Sequence, residues 1–132
     1  MNKIIVIIII SVILSGFLFW AFQSGFIAKF FGGPIEQIPI PEGIILFYGQ
    51  GCFHCKNVED FLVQNKIEDK IKFTRLEAWY NKDNQVILSE VAPKCGITSG
   101  TVGVPLLYDG NNKCFSGDVD VINFFKTQAG IK

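Results

Sequence analysis

A run of nineteen residues without a charge, from Ile4 to Phe22, constrains the fold of this chain more than any other feature. As an α-helix with a rise of about 1.5 Å per residue, the run reaches about 28 Å, close to the thickness of the hydrocarbon core of a bilayer. It therefore predicts an N-terminal transmembrane anchor. A cleaved signal peptide and a buried core helix are the alternatives, although the apolar region of a signal peptide is normally shorter, at about 7 to 15 residues.

The rest of the chain is long enough for one modest domain. Gly32-Gly33-Pro34 and two further prolines, Pro39 and Pro41, indicate a non-helical tether. We therefore divide the chain into an anchor at 1–28, a Gly/Pro linker at 29–42 and a domain at 43–132. The 12 basic residues balance the 12 acidic ones. Because this balance leaves no basic patch for a polyanion, we expect no nucleic-acid partner.

The charges around the run give little information about its orientation, since Lys3 precedes it and Lys29 follows it. Long domains are translocated largely regardless of charge. We therefore expect a single-pass protein whose domain lies on the extracytoplasmic side, with a bacterial inner membrane as the expected location. The cysteines of the domain would then be in an oxidising compartment.

The hydrophobic pattern of the domain predicts the order β-α-β-α-β-β-α. Strands are predicted at 44–48, 71–76, 104–108 and 113–115, and helices at 52–66, at 83–94 and from 117 onward. The first strand-helix-strand unit implies parallel pairing, and Asp109-Gly110-Asn111-Asn112 predicts a hairpin between the last two strands. The expected fold class is α/β, with a central four-stranded mixed sheet and helices on both faces.

The motif Cys52-Phe53-His54-Cys55 carries the chemistry that the sequence predicts. It opens the helix after the first strand, where free backbone N–H groups favour a thiolate. Cys52 is expected to form the mixed disulfide with a substrate sulfur, and Cys55 to resolve it. His54, when protonated, is expected to stabilise the Cys52 thiolate and so make the pair more oxidising. The alternative for His54 is a solvent-facing residue without catalytic effect.

The other two cysteines leave several possibilities open. Cys95 and Cys114 are expected to be two buried thiols, and a disulfide between them is the alternative for an exported domain. Neither has a close cysteine partner in sequence, so we expect no metal ligands, although a metal-binding module stays an alternative function. Trp79 and Tyr80 are expected to cover the core rather than to line a substrate groove.

The motif Cys-Phe-His-Cys-Lys at a helix start, with Gly103-Val104-Pro105 before a later strand, resembles the thioredoxin-like superfamily over residues 43–132. The resemblance implies a thiol-disulfide oxidoreductase that needs no cofactor beyond its redox-active disulfide, Cys52–Cys55. It implies that Pro105 is cis and packs against the cysteines, and that the backbone of Val104 pairs with the bound substrate chain. The implied partners are protein thiols and disulfides, together with a redox partner. The His54 argument favours oxidase or isomerase activity.

Other residues depart from that family or point to one branch of it. Gly51 stands where thioredoxin has a tryptophan, and Leu46 stands where thioredoxin has a buried acid. The loop from Ser116 to Asp120 resembles the one with which glutaredoxins hold glutathione, which makes Gly117, Asp118 and Asp120 candidate glutathione-binding residues. A glutathione-dependent reductase is therefore an alternative function. The basic residue that glutaredoxins place shortly before the first cysteine is missing from 49–51, and Gly117-Asp118 also suits an ordinary helix cap.

Overall fold

The computed structural model describes residues 2–23, 38–98 and 100–131. It divides into two units, Met1–Gln37 and Ile38–Lys132, and each is described by itself. The predicted residues Gly32-Gly33-Pro34 and Lys29 lie outside the described residues. The boundaries proposed for the linker and for the domain therefore stay predictions.

The first unit contains helix α1, Lys3–Gln23. Its segment Lys3–Trp20 has a mean hydropathy of 2.6, so by length and composition α1 can cross a membrane. A signal sequence has the same two properties. The helix that the apolar run predicts is thus present, whereas the membrane and the side on which the domain lies stay predictions.

The second unit is built on a four-stranded sheet. Its strands are β1 (Ile45–Tyr48), β2 (Thr74–Glu77), β3 (Leu106–Tyr108) and β4 (Cys114–Ser116), in the spatial order β2-β1-β3-β4. Strand β1 pairs parallel with β2 and antiparallel with β3, and β3 pairs antiparallel with β4. This mixed sheet confirms the predicted parallel unit, the predicted hairpin and the thioredoxin-like fold class.

Three helices complete the predicted order: α2 (Phe53–Gln64), α3 (Lys82–Val91) and α4 (Asp118–Ala129). Short 3-10 turns follow α2 at Ile67–Asp69 and α3 at Ala92–Cys95. The prediction was wrong at several boundaries. The N–H of Ile71 bonds to the carbonyl of Ile67, so β2 begins only at Thr74. Because Pro93 has no N–H, the chain tightens into a 3-10 turn after α3 instead of extending the helix.

Side chains that alternate along β1 separate the core into two clusters, one on each face of the sheet. Ile45 and Phe47 pack in a cluster with Ile87 and Val91 of α3. Leu46 points to the opposite cluster, which contains residues from α2 and α4, namely Val58, Leu62, Val121 and Phe125. The sheet is therefore covered on both faces, as the uninterrupted apolar run in β1 predicts.

Cys95 and Cys114 form a disulfide, with a Cα–Cα distance of 5.6 Å. The expectation of two separate buried thiols was wrong. The disulfide, which was the alternative, is present. The bond ties the 3-10 turn after α3 to the edge strand β4. The two residues come within reach because both lie beside the cluster that joins α3 to the sheet, a proximity that spacing along the chain does not reveal.

Candidate active site

Two free thiols, Cys52 and Cys55, lie at the start of α2. Cys52 is the residue that caps the helix, and its Sγ accepts a hydrogen bond from the N–H of Cys55 at 3.2 Å. Cys55 lies in the first turn and is only 7% exposed, whereas Cys52 is half-buried. Cys52 is therefore the more accessible of the two sulfurs, and its role as the attacking residue stays a prediction.

The surroundings of Cys55 keep its thiol protonated. Burial and, after it, the hydrogen bond with Cys52 raise the pKa of Cys55 from 9.0 to about 12. The N–H of Gly49 opposes this, since it donates to the sulfur of Cys55 at 3.4 Å and lowers the pKa. The two cysteines thus differ in access, and the raised pKa belongs to the buried one, Cys55, which suits a sulfur that acts only in a later resolving step.

The turn before Cys52 is shaped by two glycines. Gly49 accepts a hydrogen bond from the N–H of Cys52 at 3.2 Å, and a Cβ at this position would collide with the indole of Trp79. Gly51 has a φ of +84°, a backbone conformation that favours glycine. A glycine at a strand end can signal such a close approach, but its partner cannot be read from the sequence.

Trp79 and Tyr80 do not cover the core, so that expectation was wrong. Trp79 is 47% exposed and lies against Gly49, and Tyr80 is 73% exposed. They follow β2 directly, where the loop turns back toward the cysteine motif. Trp79 therefore belongs to the surroundings of the active-site turn.

The carboxylate of Glu77, at the end of β2, accepts four backbone hydrogen bonds. Three come from the loop that follows it, and the fourth comes from the N–H of Gln50 in the active-site turn, at 3.2 Å. Burial alone would raise the pKa of Glu77, but the N–H groups of Tyr80, Trp79, Gln50 and Asn81 outweigh it and lower the pKa. Through these hydrogen bonds Glu77 connects the loop after β2 to the active-site turn before α2. Sequence analysis missed this residue, because a single glutamate at a strand end carries no signal.

Val104 and Pro105 lie beside the cysteines. The peptide bond between them is cis, as the resemblance implies. The thiol of Cys52 donates to the carbonyl of Val104 at 3.7 Å, and Pro105 is buried. The carbonyl of Pro105 accepts the N–H of Gly117 at 3.0 Å, which ties this segment to the start of α4. The structure therefore brings together four of the predicted site residues, from two separate parts of the chain.

His54 points to α4. Its Nδ1 lies 3.1 Å from Oδ2 of Asp118, and the amide of Asn57 donates to the same oxygen at 2.6 Å. The hydrogen bonds from Asn57 and His54 lower the pKa of Asp118 from 3.8 to about 2. The contact observed for His54 is thus with a carboxylate, and a direct effect of His54 on the Cys52 thiolate stays a prediction.

The three candidate glutathione residues are divided between two places. Gly117 and Asp118 lie next to His54, at the end of the domain that carries the cysteines. Asp120 lies on another side, in a cavity of about 400 Å³ that it shares with Asp109 and Lys113. The structure therefore brings two of the three residues near the cysteine motif.

A cavity of about 500 Å³ adjoins the cysteine pair. Both cysteines and Pro105 line it, together with charged side chains from α2 and β2, namely Lys56, Glu59 and Arg75. Lys56 and Arg75 supply the positive charge that sequence analysis did not find before Cys52. Each is paired with carboxylates: Lys56 with Asp60 at 2.8 Å, and Arg75 with Glu59 at 3.0 Å and Glu68 at 3.4 Å.

The disulfide between Cys95 and Cys114 removes both residues as ligands for the metal-binding alternative. Within residues 2–23, 38–98 and 100–131, no three or more His, Cys, Asp or Glu side chains form a group that could hold a metal ion.

A comparison with solved structures finds two glutaredoxins whose backbones are similar to that of this chain. The solution structure of reduced glutaredoxin C1 from Populus tremula x tremuloides is 23% identical, with 68% of each chain covered and a TM-score of 0.43. The crystal structure of oxidised glutaredoxin 2 from Chlamydomonas reinhardtii is 19% identical, covering 68% of this chain and 84% of that one, with a TM-score of 0.44. No protein-family model and no curated protein matches the sequence. The thioredoxin-like fold therefore rests on the strand order and on the succession of elements along the chain.

Proposed function

We propose that this protein is a thiol-disulfide oxidoreductase that exchanges disulfides with protein substrates through Cys52 and Cys55. One observation carries the proposal: two free sulfurs share the first turn of α2, and only the one beside the Val104 carbonyl is accessible. A pair used only as a structural bond would not need one accessible sulfur and one buried sulfur. It would also stabilise the fold little, because the loop it closes is so short.

In the reducing direction, the thiolate of Cys52 attacks one sulfur of a substrate disulfide, and the other substrate sulfur leaves as a thiolate. Cys55 then loses its proton and attacks Cys52, which forms the Cys52–Cys55 bond and releases the second substrate thiolate. The substrate gains two electrons and the pair is oxidised. The oxidising direction reverses each step, with Cys55 as the leaving group. No bound cofactor enters either sequence.

The proposal places the domain outside the cytoplasm, on a membrane such as the bacterial inner membrane. Two features support this location. Helix α1 has the length and composition of a membrane span, and disulfides such as Cys95–Cys114 persist mainly in oxidising compartments. Reporter fusions at the C-terminus would test it, and a reporter that is active only in the cytoplasm would contradict it.

The activity itself is tested with the full-length chain in detergent and a protein reporter whose fluorescence follows one disulfide. We expect Cys52→Ser to abolish exchange, and Cys55→Ser to trap a mixed disulfide that mass spectrometry detects. Ser89→Ala, at an exposed site on α3, serves as a control for substitution as such. Equal rates for the wild type and Cys52→Ser would refute the proposal.

The direction of exchange follows from the reduction potential of the pair. A value near about −270 mV would make the pair reducing, and one near about −120 mV would make it an oxidant. The proposed role of His54 predicts the upper half of this range, with a more negative potential in His54→Ala. Equilibration with glutathione redox buffers measures both. An unchanged reduction potential in His54→Ala would show that His54 has no electrostatic effect on the Cys52–Cys55 pair.

A glutathione-dependent reductase is the second candidate, because the contact between His54 and Asp118 brings the Gly117-Asp118 loop next to the cysteine motif. In this case Cys55→Ser should form a one-to-one mixed disulfide with glutathione, and Asp118→Ala should weaken its formation. The carboxylate of Asp118 already accepts a hydrogen bond from Asn57, which glutathione would have to replace. Absence of the adduct would remove this candidate.

A further inference from the structure

The proposed function requires the buried Cys55 thiol to lose its proton before it resolves the mixed disulfide. In thioredoxin a buried acid stands where this chain has Leu46, which is apolar and 2% exposed. Leu46 lines the same cavity as Cys55, so this wall of the cavity offers no group that can take the proton. The proton acceptor must come from another element.

Glu59 lies one turn after Cys55 on α2, and both line the cavity of about 500 Å³. Side chains four residues apart on a helix are neighbours, with Cβ atoms about 5–6 Å apart. Oε1 of Glu59 accepts a hydrogen bond from Nη2 of Arg75 at 3.0 Å. Among the described residues Oε2 has no hydrogen-bond partner, which leaves this oxygen available on the carboxylate nearest to Cys55 along α2.

Arg75 holds this carboxylate from the neighbouring strand. Its guanidinium lies 5.2 Å from the centre of the Tyr48 ring and is also paired with Glu68 at 3.4 Å. The side chain of Arg75 is 32% exposed, so the pair with Glu59 lies at the mouth of the cavity rather than free in solvent. Arg75 therefore fixes one oxygen of a carboxylate that lines the cavity.

We infer that Glu59 accepts the proton of Cys55 in the resolving step, from the position across the shared cavity in which Arg75 holds it. The inference rests on the proposed function. In the reverse direction, protonated Glu59 returns the proton to Cys55 as this sulfur leaves. The other titratable groups that face the cavity are Tyr48 from β1, Arg75 from β2, and Cys52 and Lys56 from α2.

Cys55 transfers its proton to Glu59 across the cavity that both side chains line. The Cys55 thiolate attacks Sγ of Cys52, and the new Cys52–Cys55 bond forms as the bond from Cys52 to the substrate sulfur breaks. The substrate leaves as a thiolate with the electron pair of that bond. Glu59 then gives its proton to solvent and returns to the ionised form.

Two possible roles for Glu59 predict opposite effects of its neutralisation on the rate of the resolving step. If Glu59 acted only as a negative charge near Cys55, its neutralisation would favour the Cys55 thiolate and accelerate the resolving step. If it accepts the proton, its neutralisation slows this step. Glu59→Gln keeps the shape of the side chain, and the position is 54% exposed, so we expect the variant to fold.

The experiment uses the reduced full-length chain in detergent and an aromatic disulfide whose released thiolate absorbs visible light. Attack by Cys52 releases the first aromatic thiolate, and the resolving step releases the second. We expect Glu59→Gln to leave the first release unchanged and to slow the second about tenfold at neutral pH. This is less than the roughly 10²–10⁴-fold typical of a positioned base, because solvent also reaches this exposed site. The difference should narrow at high pH, where hydroxide takes the proton.

Glu68→Gln is the matched control, since it removes the other carboxylate of Arg75 but does not line the cavity. It should resolve as fast as the wild type. An equal or faster second release in Glu59→Gln would overturn the inference, and so would an equal loss in Glu68→Gln, which would assign the effect to Arg75. Failure of the wild type to give the first release would instead overturn the proposed function, and the inference with it.

Discussion

At the scale of single residues, Gly49 connects the active-site turn to its surroundings. Its N–H donates to the sulfur of Cys55, its carbonyl accepts from Cys52, and the indole of Trp79 lies on its Cα. A residue without a side chain thus contacts both cysteines and the indole. Any side chain at this position must displace the indole, because the colliding atoms belong to the ring's fused part rather than to a flexible tip.

We therefore predict that Gly49→Ala destabilises the domain by about 1–3 kcal/mol, the usual cost of overpacking. The indole should move into solvent, and the emission of Trp79 should shift to the red. Comparison with Trp79→Phe isolates this emission from that of Trp20. Gly103→Ala is the control, since a Cβ there meets nothing within 4 Å. An unchanged spectrum in Gly49→Ala would mean that Trp79 does not lie on Gly49.

Asp118 predicts a dependence of stability on pH. Its pKa in the folded protein is about 2, below the ordinary 3.8, so the ionised carboxylate stabilises the fold. This contribution is present above about pH 4 and is lost as the pH falls toward 2. The wild type should therefore unfold at a higher temperature than Asp118→Asn at pH 5, and at the same temperature near pH 2.

Near-UV circular dichroism during thermal unfolding measures this difference. Asp120→Asn, an exposed carboxylate two residues farther along α4, is the control and should behave as the wild type at both pH values. A difference between the wild type and Asp118→Asn that persists at pH 2 would show that the carboxylate does not act through its charge.

At the scale of elements, Glu77 fastens the end of β2 to the turn before α2. We predict that Glu77→Gln leaves two backbone N–H groups without an acceptor, because the amide nitrogen cannot accept them. Amide hydrogen exchange should accelerate at the two N–H groups that share the replaced oxygen, either Gln50 and Trp79 or Tyr80 and Asn81. Glu90→Gln, on the exposed side of α3, should leave these amides unchanged. Unchanged exchange in Glu77→Gln would contradict the observed hydrogen bonds.

The order of these elements was predictable from the sequence, whereas the contacts between them were not. The continuous apolar run of β1, the apolar periodicity of α2 and the turn residues after β3 are local patterns, and the structure confirms the elements that they predict. Gln50 and Glu77 are 27 positions apart, and neither belongs to a motif. The site residues recovered from sequence, such as Cys52 and Cys55, are those whose chemistry requires a fixed spacing. Those missed, such as Gly49, act through partners that only the fold brings near.

At the scale of the whole molecule, the bond between Cys95 and Cys114 closes a loop of 19 positions. A loop of this length predicts a stabilisation of about 3 kcal/mol, because the bond restricts the unfolded chain. The double variant Cys95→Ala/Cys114→Ala should lose about this amount in urea unfolding, while exchange through Cys52 is retained. Loss of exchange in a variant that remains folded would show that the second pair takes part in the reaction.

The contact between Trp79 and Gly49 also has a consequence for related sequences. Two positions that exclude each other in space cannot vary independently, so substitutions at 49 and 79 should be coupled among homologues. A relative with a side chain at position 49 should carry a residue smaller than tryptophan at position 79, and a tryptophan at 79 should accompany glycine at 49. The fit between one hydrogen atom and one indole would then be visible as covariation between two sites thirty positions apart.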